Sequence, residues 1–348
     1  MKLNTKKLKT ALDNLAKITA RKMSLPILSC VKLSAANNLL TIEASNLDEY
    51  QTETVECDGE TGAFCVSAKH LSASVGGSEM DLEWDGKKLT IKWDTSIFRV
   101  PTLASDDFPP APSEKASEIG LNCGDLAKGI SAVLFAASDE SNRYVLNSVH
   151  LQGKPKSITC VATNGRMLAV HEANQIAAAF EALVPREFAP NFCAALNRED
   201  AVFSVSEKHL FAHHKSGMYL CKQIEESYPN WKQVVPTEFK VSGTLPVAPM
   251  VEAFSRCAAF YDEKSFAVKL DFQASGVQFT YDGERGNVEK LIDGKFEPLI
   301  IALDFQYMTK ICNAFDCESV SFSGTDELSA LVFQSNDLKT IIMPMRLT

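Results

Sequence analysis

Three histidines are the residues whose spacing comes nearest to suggesting chemistry. His209, His213 and His214 stand close together, and histidines four apart share one face of a helix, where they can bind a metal ion. They lie, however, in a run of alternating apolar and polar residues that favours a strand of a hairpin. No cysteine or carboxylate stands at ligand spacing from them. We therefore expect no metal site and no cofactor.

The motifs of the common enzyme classes are absent from the sequence. It contains no GxxxxGK[ST] loop, GxSxG elbow, HExxH or GxGxxG, so the residues for nucleotide hydrolysis, acyl transfer and zinc chemistry are missing. Asp81, Glu83 and Asp85 alternate with apolar residues and indicate the surface of a strand more simply than a paired catalytic site. A hydrolase would need a nucleophile and a base that we cannot find. We expect no catalytic residue and a non-enzymatic protein.

The first 22 residues are strongly basic. They hold seven Lys and Arg against only Asp13, a local formal charge of +6, whereas the whole chain carries −9. Such a charge run usually marks a solvated helix face. One basic helix on an acidic body is also what a protein needs to contact phosphates at one surface and repel them elsewhere. Contacts of this kind would be independent of DNA sequence.

Length and composition indicate an ordinary globular protein of several domains. The chain has 348 residues, of which 45% are hydrophobic and 23% charged, close to the average for soluble domains. The ten cysteines are scattered singly with no CxxC pair, which is typical of buried or surface thiols. There is no run of about 18 apolar residues, and the start of the chain lacks the apolar core of a signal peptide. We expect a cytoplasmic protein.

An internal repeat organises the chain. Residues 3–46 match residues 121–164 without a gap at a constant offset of 118. In both copies apolar residues recur at helical spacing and are followed by two alternating, strand-like runs. A third, weaker copy begins near Leu245, with the helix at an offset of 242 and the strands at 237.

Each copy also has a second half of the same kind. A short helix is predicted after Cys65, at Phe192 to Leu196 and at Phe305 to Phe315, each before alternating strands, and Asp85-Gly86 predicts a hairpin turn. The fold class is therefore α+β, with three tandem similar domains, each with two helices packed on antiparallel sheets. We place the domains at 1–116, 117–237 and 238–348, with boundaries near the Pro-rich stretch 108–112 and near Pro236.

Six short motifs, spread along the threefold repeat from residue 25 to residue 347, resemble those of one protein family and occur in the same order. Any one of them alone is weak, but together they are specific. They are Leu25-Pro26-Ile27-Leu28, Asp107-Phe108-Pro109, Tyr144-Val145-Leu146-Asn147, the run 161–170 (VATNGRMLAV), the run 228–236 (YPNWKQVVP) and the terminal Met343-Pro344-Met345-Arg346-Leu347. The chain resembles the bacterial DNA polymerase III β subunits, the sliding clamps.

This resemblance implies a DNA clamp fold that closes as a head-to-tail homodimeric ring around double-stranded DNA. Three repeats in each of two chains agree with a closed ring that has no open sheet edges. Binding would be topological and independent of sequence. The partners implied are the polymerase III α subunit, the clamp loader and repair proteins, which dock through short linear motifs, and no membrane is implied.

The resemblance also implies a peptide-binding cleft between the second and third domains. The cleft is expected to be apolar, with methionines that adapt to several partners. Its residues by motif position are Leu146, Thr163, Gly165, Arg166, Met167, Leu168, Pro229, Gln233, Val234, Ile341, Met343, Pro344, Met345 and Arg346.

Two further surfaces follow from the resemblance. The DNA-facing residues carried over by motif position are Lys22, Lys69, Arg143 and Tyr144, to which the charge argument adds Arg21. For the dimer contact, the resemblance implies Phe108 and Phe260, although both side chains could instead pack inside the chain.

The chain departs from the family pattern at the cleft. Where the family commonly has Gly-His-Arg-Leu, this sequence has Gly165-Arg166-Met167-Leu168, and Gln233 stands where an Arg is frequent. The rim therefore loses or relocates cationic donors. Two alternatives stay open: a specialised or mobile-element clamp with altered partner preference, and a repeat scaffold that uses the cleft but never encircles DNA.

Overall fold

The computed structural model describes residues 1–19, 25–140, 142–175, 178–261 and 265–346. The described part contains six α-helices and twenty-four strands. The helices are α1 (Thr5–Thr19), α2 (Ala68–Ser74), α3 (Cys123–Val133), α4 (Ala189–Leu196), α5 (Val247–Phe260) and α6 (Phe305–Asn313).

The strands of the first half of the chain are β1 (Lys2–Asn4), β2 (Cys30–Ala36), β3 (Leu39–Ser45), β4 (Glu49–Asp58), β5 (Thr61–Ser67), β6 (Glu79–Trp84), β7 (Lys88–Trp93), β8 (Ser96–Ala104), β9 (Ser117–Glu118), β10 (Ser148–Lys154), β11 (Ser157–Thr163) and β12 (Met167–Ala173). Those of the second half are β13 (Phe180–Pro185), β14 (Val202–Val205), β15 (His209–His214), β16 (Gly217–Lys222), β17 (Val241–Pro246), β18 (Ala267–Gln273), β19 (Gly276–Gly283), β20 (Gly286–Asp293), β21 (Leu299–Asp304), β22 (Ser319–Gly324), β23 (Leu331–Ser335) and β24 (Leu338–Ile342).

The predicted repeat is confirmed at the level of the elements. Strands β2 and β3 begin 118 residues before β10 and β11, and 237 residues before β18 and β19. Helices α1 and α3 likewise begin 118 residues apart, at Thr5 and Cys123, and α5 begins 242 residues after α1. The short second-half helices are also present as α2, α4 and α6, although α4 begins three residues earlier than predicted and α6 ends two residues earlier. The copies therefore share one order of elements.

Contacts between residues divide the chain into two units, which we describe separately. Unit 1 consists of residues 1–124 and 190–223, and unit 2 of residues 125–189 and 224–348. Each unit combines segments from more than one sequence repeat. The repeats and the compact units therefore differ, because strands from neighbouring repeats pair within one sheet.

Unit 1 is built on one antiparallel sheet of twelve strands in the order β1-β6-β7-β8-β5-β2-β3-β4-β16-β15-β14-β9, with β1 also paired to β4. The pairing of β4 with β16 joins the first repeat to the second. Helix α1 buries its apolar side, with Leu8, Leu12 and Leu15 nearly inaccessible, and the Asn4 side chain caps its start by accepting from the amide of Lys7 at 3.1 Å. The helical spacing of these leucines therefore places them on one side of α1, the side that is buried.

Unit 2 contains two antiparallel sheets. One has eight strands in the order β13-β10-β11-β12-β24-β23-β22-β17, and the other has four in the order β20-β19-β18-β21. In the larger sheet β12 of the second repeat pairs with β24 of the third. The core of the unit is rich in phenylalanine, and Phe272 and Phe322 stack with ring centroids 4.7 Å apart. Within the described residues, none of the helices is long and apolar enough to cross a bilayer.

Candidate peptide-binding cleft and DNA-facing surface

The floor of the predicted cleft is a pair of strands in unit 2. Leu168 on β12 stands opposite Ile341 on β24 in the antiparallel register, and Met167 stands opposite Ile342. Leu168 and Ile341 are each 3% exposed. Both belong to an apolar cluster on this sheet, which also contains Val161, Val170, Ala330 and Val332. The structure thus brings together residues from sequence positions more than 170 apart.

A segment between the second and third repeats covers one side of this floor. Tyr228, Trp231 and Val235 pack against the apolar cluster. A short 3₁₀ turn from Trp231 to Val234 directs Val234 outward, where it is 59% exposed. The residues predicted for the cleft include Val234 but not Tyr228, Trp231 or Val235, although their aromatic and apolar side chains in this segment were a signal that the sequence offered.

The turn between β11 and β12 forms the rim. The Asn164 side chain accepts from the amides of Arg166 and Met167, both at 2.9 Å, and the Thr163 hydroxyl accepts from the Gly165 amide at 3.0 Å. Gly165 has φ +85°, a left-handed conformation that glycine adopts without strain. The turn exposes Arg166 and buries Met167.

The end of the chain is tied to this rim through the backbone. The amide of Met343 donates to the carbonyl of Arg166 at 3.0 Å, and the amide of Met345 donates to the carbonyl of Ala302 at 2.8 Å. Pro344 lies between them and has no amide proton to donate. The Met343 side chain is 49% exposed. We name the surface formed by Arg166, Leu168, Val234, Ile341 and Met343 the main cleft.

Arg143 supports the main cleft from a neighbouring turn. Its Nη1 donates to the Asn164 carbonyl at 2.6 Å, and its Nε lies 3.0 Å from a carboxylate oxygen of Glu140. A Cβ atom on Gly165 would come within 2.9 Å of Nη1. Arg143 was predicted to contact DNA, and that contact stays a prediction, but the structure engages the guanidinium within the chain. Leu146 ends the same 3₁₀ turn, from Tyr144 to Leu146.

The electrostatics of the main cleft centre on Arg166. Burial raises the pKa of the nearby Asp304 carboxyl, while its hydrogen bonds from the Gln306 and Tyr307 amides and the charge of Arg166 act in the opposite direction. Asp304 caps helix α6 and accepts from the Gln306 amide at 2.8 Å. Arg166 therefore places an exposed cation at the rim. Pro229 and Gln233 are exposed beside this rim, and Arg346 is exposed near the end of the described chain.

The predicted DNA-facing residues fall on both units. Lys69 is exposed on α2, and Tyr144 is 61% exposed, whereas Arg21 and Lys22 lie outside the described residues. Helix α1 also presents Lys6, Lys9 and Lys17 on its solvent side. The solvent side of α1 is therefore basic.

The two phenylalanines predicted at the dimer contact have different environments. Phe108 is 5% exposed and packs in unit 1 with Cys30, Tyr50 and Leu220. The Phe108 ring is therefore packed inside its own chain, which is the alternative left open by the sequence, and its dimer contact stays a prediction. Phe260 is half-buried at the end of α5, beside Gly286 of the edge strand β20.

The histidine cluster of the sequence is a strand, as the alternating pattern predicted. His209, His213 and His214 lie on β15, which pairs with β16. Among the described residues no group of three or more His, Cys, Asp or Glu is arranged to hold a metal ion. The stretch around Asp85 is a hairpin turn between β6 and β7, again as predicted.

A buried polar network in unit 1 was missed by sequence reasoning. Glu53 on β4 is 3% exposed, and Arg198 binds it through two nitrogens, at 2.8 and 3.2 Å. Asn14 and Gln51 donate to the same carboxylate at 3.2 and 2.9 Å. On β4 the polar residues Gln51 and Glu53 are buried while Glu56 and Asp58 are exposed, so residue type alone does not show which side of this strand faces inward.

His214 gives this network a dependence on pH. Burial, and then the charge of Arg198, lower the pKa of His214 to about 4, against about 6.5 in an unfolded chain. The unfolded state therefore takes up a proton below pH 6.5 while the folded state does not, so stability is fully present above pH 6.5 and falls as the pH drops toward 4. We expect His214→Gln to reduce this acid-induced loss by about 1–2 kcal/mol, after allowing for partial exposure.

The measurement is urea unfolding of the parent and the variant at pH 7 and pH 5. His70→Gln is the matched control, since His70 is exposed on α2. An identical fall in stability for the parent and for His214→Gln would contradict the prediction.

Comparison with known proteins places this architecture in a class. The sequence profiles of the DNA polymerase III beta subunit match in tandem: the N-terminal domain at residues 1–112, the central domain at 120–230 and the C-terminal domain at 232–346. A crystal structure of the sliding clamp from Pseudomonas aeruginosa superposes with a TM-score of 0.93 at 23% identity, covering 100% of this chain and 99% of that one. The sliding clamp of Bacillus subtilis gives 0.91 at 18%. The fold is that of a DNA clamp with three tandem domains.

Curated relatives that match over almost the whole of both chains belong to the same class. The beta sliding clamp of Vibrio cholerae is 25% identical over 342 residues, 93% of each chain. That of Caulobacter vibrioides is 27% identical over 359 residues, covering 97% of this chain and 96% of its own. The chain belongs to the DNA polymerase III beta subunit family, the beta sliding clamps.

Proposed function

We propose that this chain acts as a processivity factor without catalytic activity, and that two copies close head to tail into a ring around duplex DNA. The observation that carries the proposal is the tandem series of three clamp domains between residue 1 and residue 346. Two copies supply six repeats, and a closed ring leaves no sheet edge open. We place the domain limits at 1–116, 117–237 and 238–348 and the protein in the cytoplasm.

The test of this function is retention on DNA of different topology. The protein is loaded onto nicked circular plasmid, and bound protein is measured before and after the plasmid is linearised. A closed ring slides off free ends, so retention should be lost on linear DNA. Equal retention on both forms would mean ordinary surface binding, and the scaffold alternative would then be favoured.

The basic face of α1 is proposed to contact phosphates. Each phosphate contact contributes about 0.9 to the slope of log affinity against log salt concentration. We expect Lys9→Ala with Lys17→Ala to reduce that slope by about 1–2 on short linear duplexes, because both side chains are exposed on α1. The matched control is Lys154→Ala with Lys156→Ala, two exposed lysines near the turn between β10 and β11.

The salt slope is measured by fluorescence anisotropy over a series of salt concentrations. The same measurement on Lys22→Ala with Lys69→Ala tests the residues carried over by motif position. An unchanged slope in either double variant would remove that pair from the DNA footprint.

Phe260 is proposed to lie at the dimer contact. Its ring lies against Gly286 on β20. This strand is paired on one side only in the four-stranded sheet, so a strand of a partner chain can pair with its free edge. We expect Phe260→Glu to shift the protein from dimer to monomer on analytical ultracentrifugation, since a charge at such a contact would lose its water. Phe108→Glu should instead unfold part of unit 1, because Phe108 is buried. A persistent dimer in Phe260→Glu would reject the assignment.

The main cleft is proposed to bind short linear peptides of the polymerase III α subunit, the clamp loader and repair proteins. Its support is geometric: a buried apolar floor of Leu168 and Ile341 with exposed Val234 and Met343 beside it. Such a surface fits an apolar side chain of a peptide.

A specialised or element-encoded clamp with altered partner preference is a second candidate. The observation that favours it is the exchange at the rim, where Arg166 is exposed and Met167 is buried. The test is the affinity of the usual family consensus peptide against local variants of it. Equal affinity for all of them would count against a private preference.

A further inference from the structure

The rim of the main cleft has a structural copy in unit 1. The turn between β3 and β4 stands 118 residues before the turn between β11 and β12 and repeats its hydrogen bonds. The Asn46 side chain accepts from the amides of Asp48 and Glu49 at 3.0 and 2.6 Å, as Asn164 does in the later turn. The Leu47 amide donates to the Ser45 hydroxyl at 3.2 Å. The same loop therefore recurs with different side chains.

The strand pair beside the turn is also repeated. Tyr50 on β4 stands opposite Leu220 on β16, and the Lys222 amide donates to the Asp48 carbonyl at 2.8 Å. The corresponding residues of the main cleft are Leu168 opposite Ile341, and Met343 bonded to Arg166. Unit 1 thus holds the same backbone frame that unit 2 uses for the main cleft.

This second frame borders a cavity of about 110 Å³. We name it the proline pocket, and its lining includes Leu47, Tyr50, Pro109, Pro112, His209 and Leu220. Pockets for small ligands begin at about 300 Å³, so this smaller space suits a single side chain. Proline rings have no amide proton to satisfy and offer apolar surface. The pocket therefore fits the anchor of a peptide.

Leu47 at the edge of the pocket is in an unusual conformation. Its φ is +76°, where the later turn has Gly165 at +85°. A leucine in the left-handed region is strained, and a glycine would serve the turn without strain. The side chain is nevertheless 53% exposed. Backbone strain that presents an apolar side chain to solvent is a feature of functional surfaces.

The charge of the rim is reversed relative to the main cleft. Asp48 occupies the position of Arg166, and Glu49 also lines the proline pocket. Glu114 lies 3.2 Å from Nδ1 of His209. Glu114 itself does not line the pocket. Lys222 pairs with Asp48 at 2.9 Å and offsets its charge, whereas the buried Glu49 carboxylate accepts from the neutral side chains of Asn46, Asn191 and Tyr219. The remaining negative charge favours a cationic partner.

We propose that the proline pocket is a second docking site, for a short linear peptide that presents an apolar anchor side chain flanked by lysine or arginine. The main cleft and the proline pocket would then use the same backbone arrangement to select peptides of different charge. The inference depends on unit 1 alone and goes beyond the function proposed above.

The probes are two fluorescein-labelled peptides, Lys-Lys-Leu-Leu-Phe-Lys and Glu-Glu-Leu-Leu-Phe-Glu, titrated by fluorescence anisotropy. We expect the basic peptide to bind the parent protein at least tenfold more tightly than the acidic one. Leu47→Gly should weaken the basic peptide about tenfold, because it removes the exposed anchor contact and keeps the turn. Asp48→Lys should reduce the preference for the basic peptide.

Val234→Glu with Met343→Glu alters only the main cleft, so binding of the basic peptide at the proline pocket should persist in this variant. Loss of basic-peptide binding in that variant would overturn the proposal, as would unchanged affinity in Leu47→Gly. No binding of the basic peptide up to about 1 mM would overturn it as well. Retention on circular DNA does not depend on this pocket, so failure of the proposal is distinguishable from failure of the clamp function.

Discussion

Arg198→Ala is expected to lower the free energy of unfolding by about 3–5 kcal/mol. The substitution leaves the Glu53 carboxylate buried with two side-chain amide donors but without its cation. The Arg198 side chain is 24% exposed and that of Glu53 is 4% exposed, so water cannot fully replace the lost partner. The loss should be localised to unit 1, where β4 pairs with β16.

The measurement is urea unfolding followed by tryptophan fluorescence, with hydrogen exchange of the β4 amides as a local probe. Arg256→Ala is the matched control: its guanidinium is 61% exposed and pairs with Glu252 on the surface of α5, and such a pair contributes at most about 1 kcal/mol. Replacing both partners, as Glu53→Leu with Arg198→Met, should cost less than the sum of the two single substitutions. A loss below about 1 kcal/mol in Arg198→Ala would show that the pair is not a stabilising element.

Val234→Glu combined with Met343→Glu is expected to weaken binding of a family consensus peptide by at least about 100-fold. Each side chain offers apolar surface that a bound peptide would cover, and complete burial of such a side chain contributes about 1.5–3 kcal/mol. Both residues are exposed in the free protein, so the substitutions should leave the fold intact. The peptide would instead have to cover two carboxylates.

The affinity is measured by isothermal titration calorimetry with the parent, the double variant and Val202→Glu. Val202 is a less exposed valine on β14 of unit 1, at 37%, and is the control. Peptide affinity unchanged in the double variant would place the binding site elsewhere, while a loss in Val202→Glu would indicate a general effect of added charge.

The sequence predicted the order of elements well because the repeat supplied the pattern more than once. Helix α1 and strands β2 and β3 recur at constant offsets, so each apolar position was supported by its copies. The ends of α4 and α6 were less accurate, since helix ends depend on local caps. Pro190 in the first turn of α4 is compatible with a helix start, yet the prediction began only at Phe192.

The candidate site was predicted in part. The floor residues Leu168 and Ile341 came from the resemblance, and only the structure shows that they pair across β12 and β24. The environment of Phe108 could not be read from its neighbours, because its burial depends on Tyr50 and Leu220, which are distant in sequence. The same holds for Glu53: a carboxylate in an alternating strand looks exposed until Arg198, 145 residues away, is placed beside it.

The bond between the Met343 amide and the Arg166 carbonyl is made by the main chain, as are the ladder bonds of β12 and β24. Side-chain exchange therefore leaves the scaffold of the main cleft in place. If the main cleft binds peptides as proposed, a lineage of such proteins can change the motif it accepts one side chain at a time, without passing through an unfolded ancestor. Recognition is then free to coevolve with a new partner, and inhibitors aimed at the rim will meet resistance more readily than inhibitors that bond to the backbone.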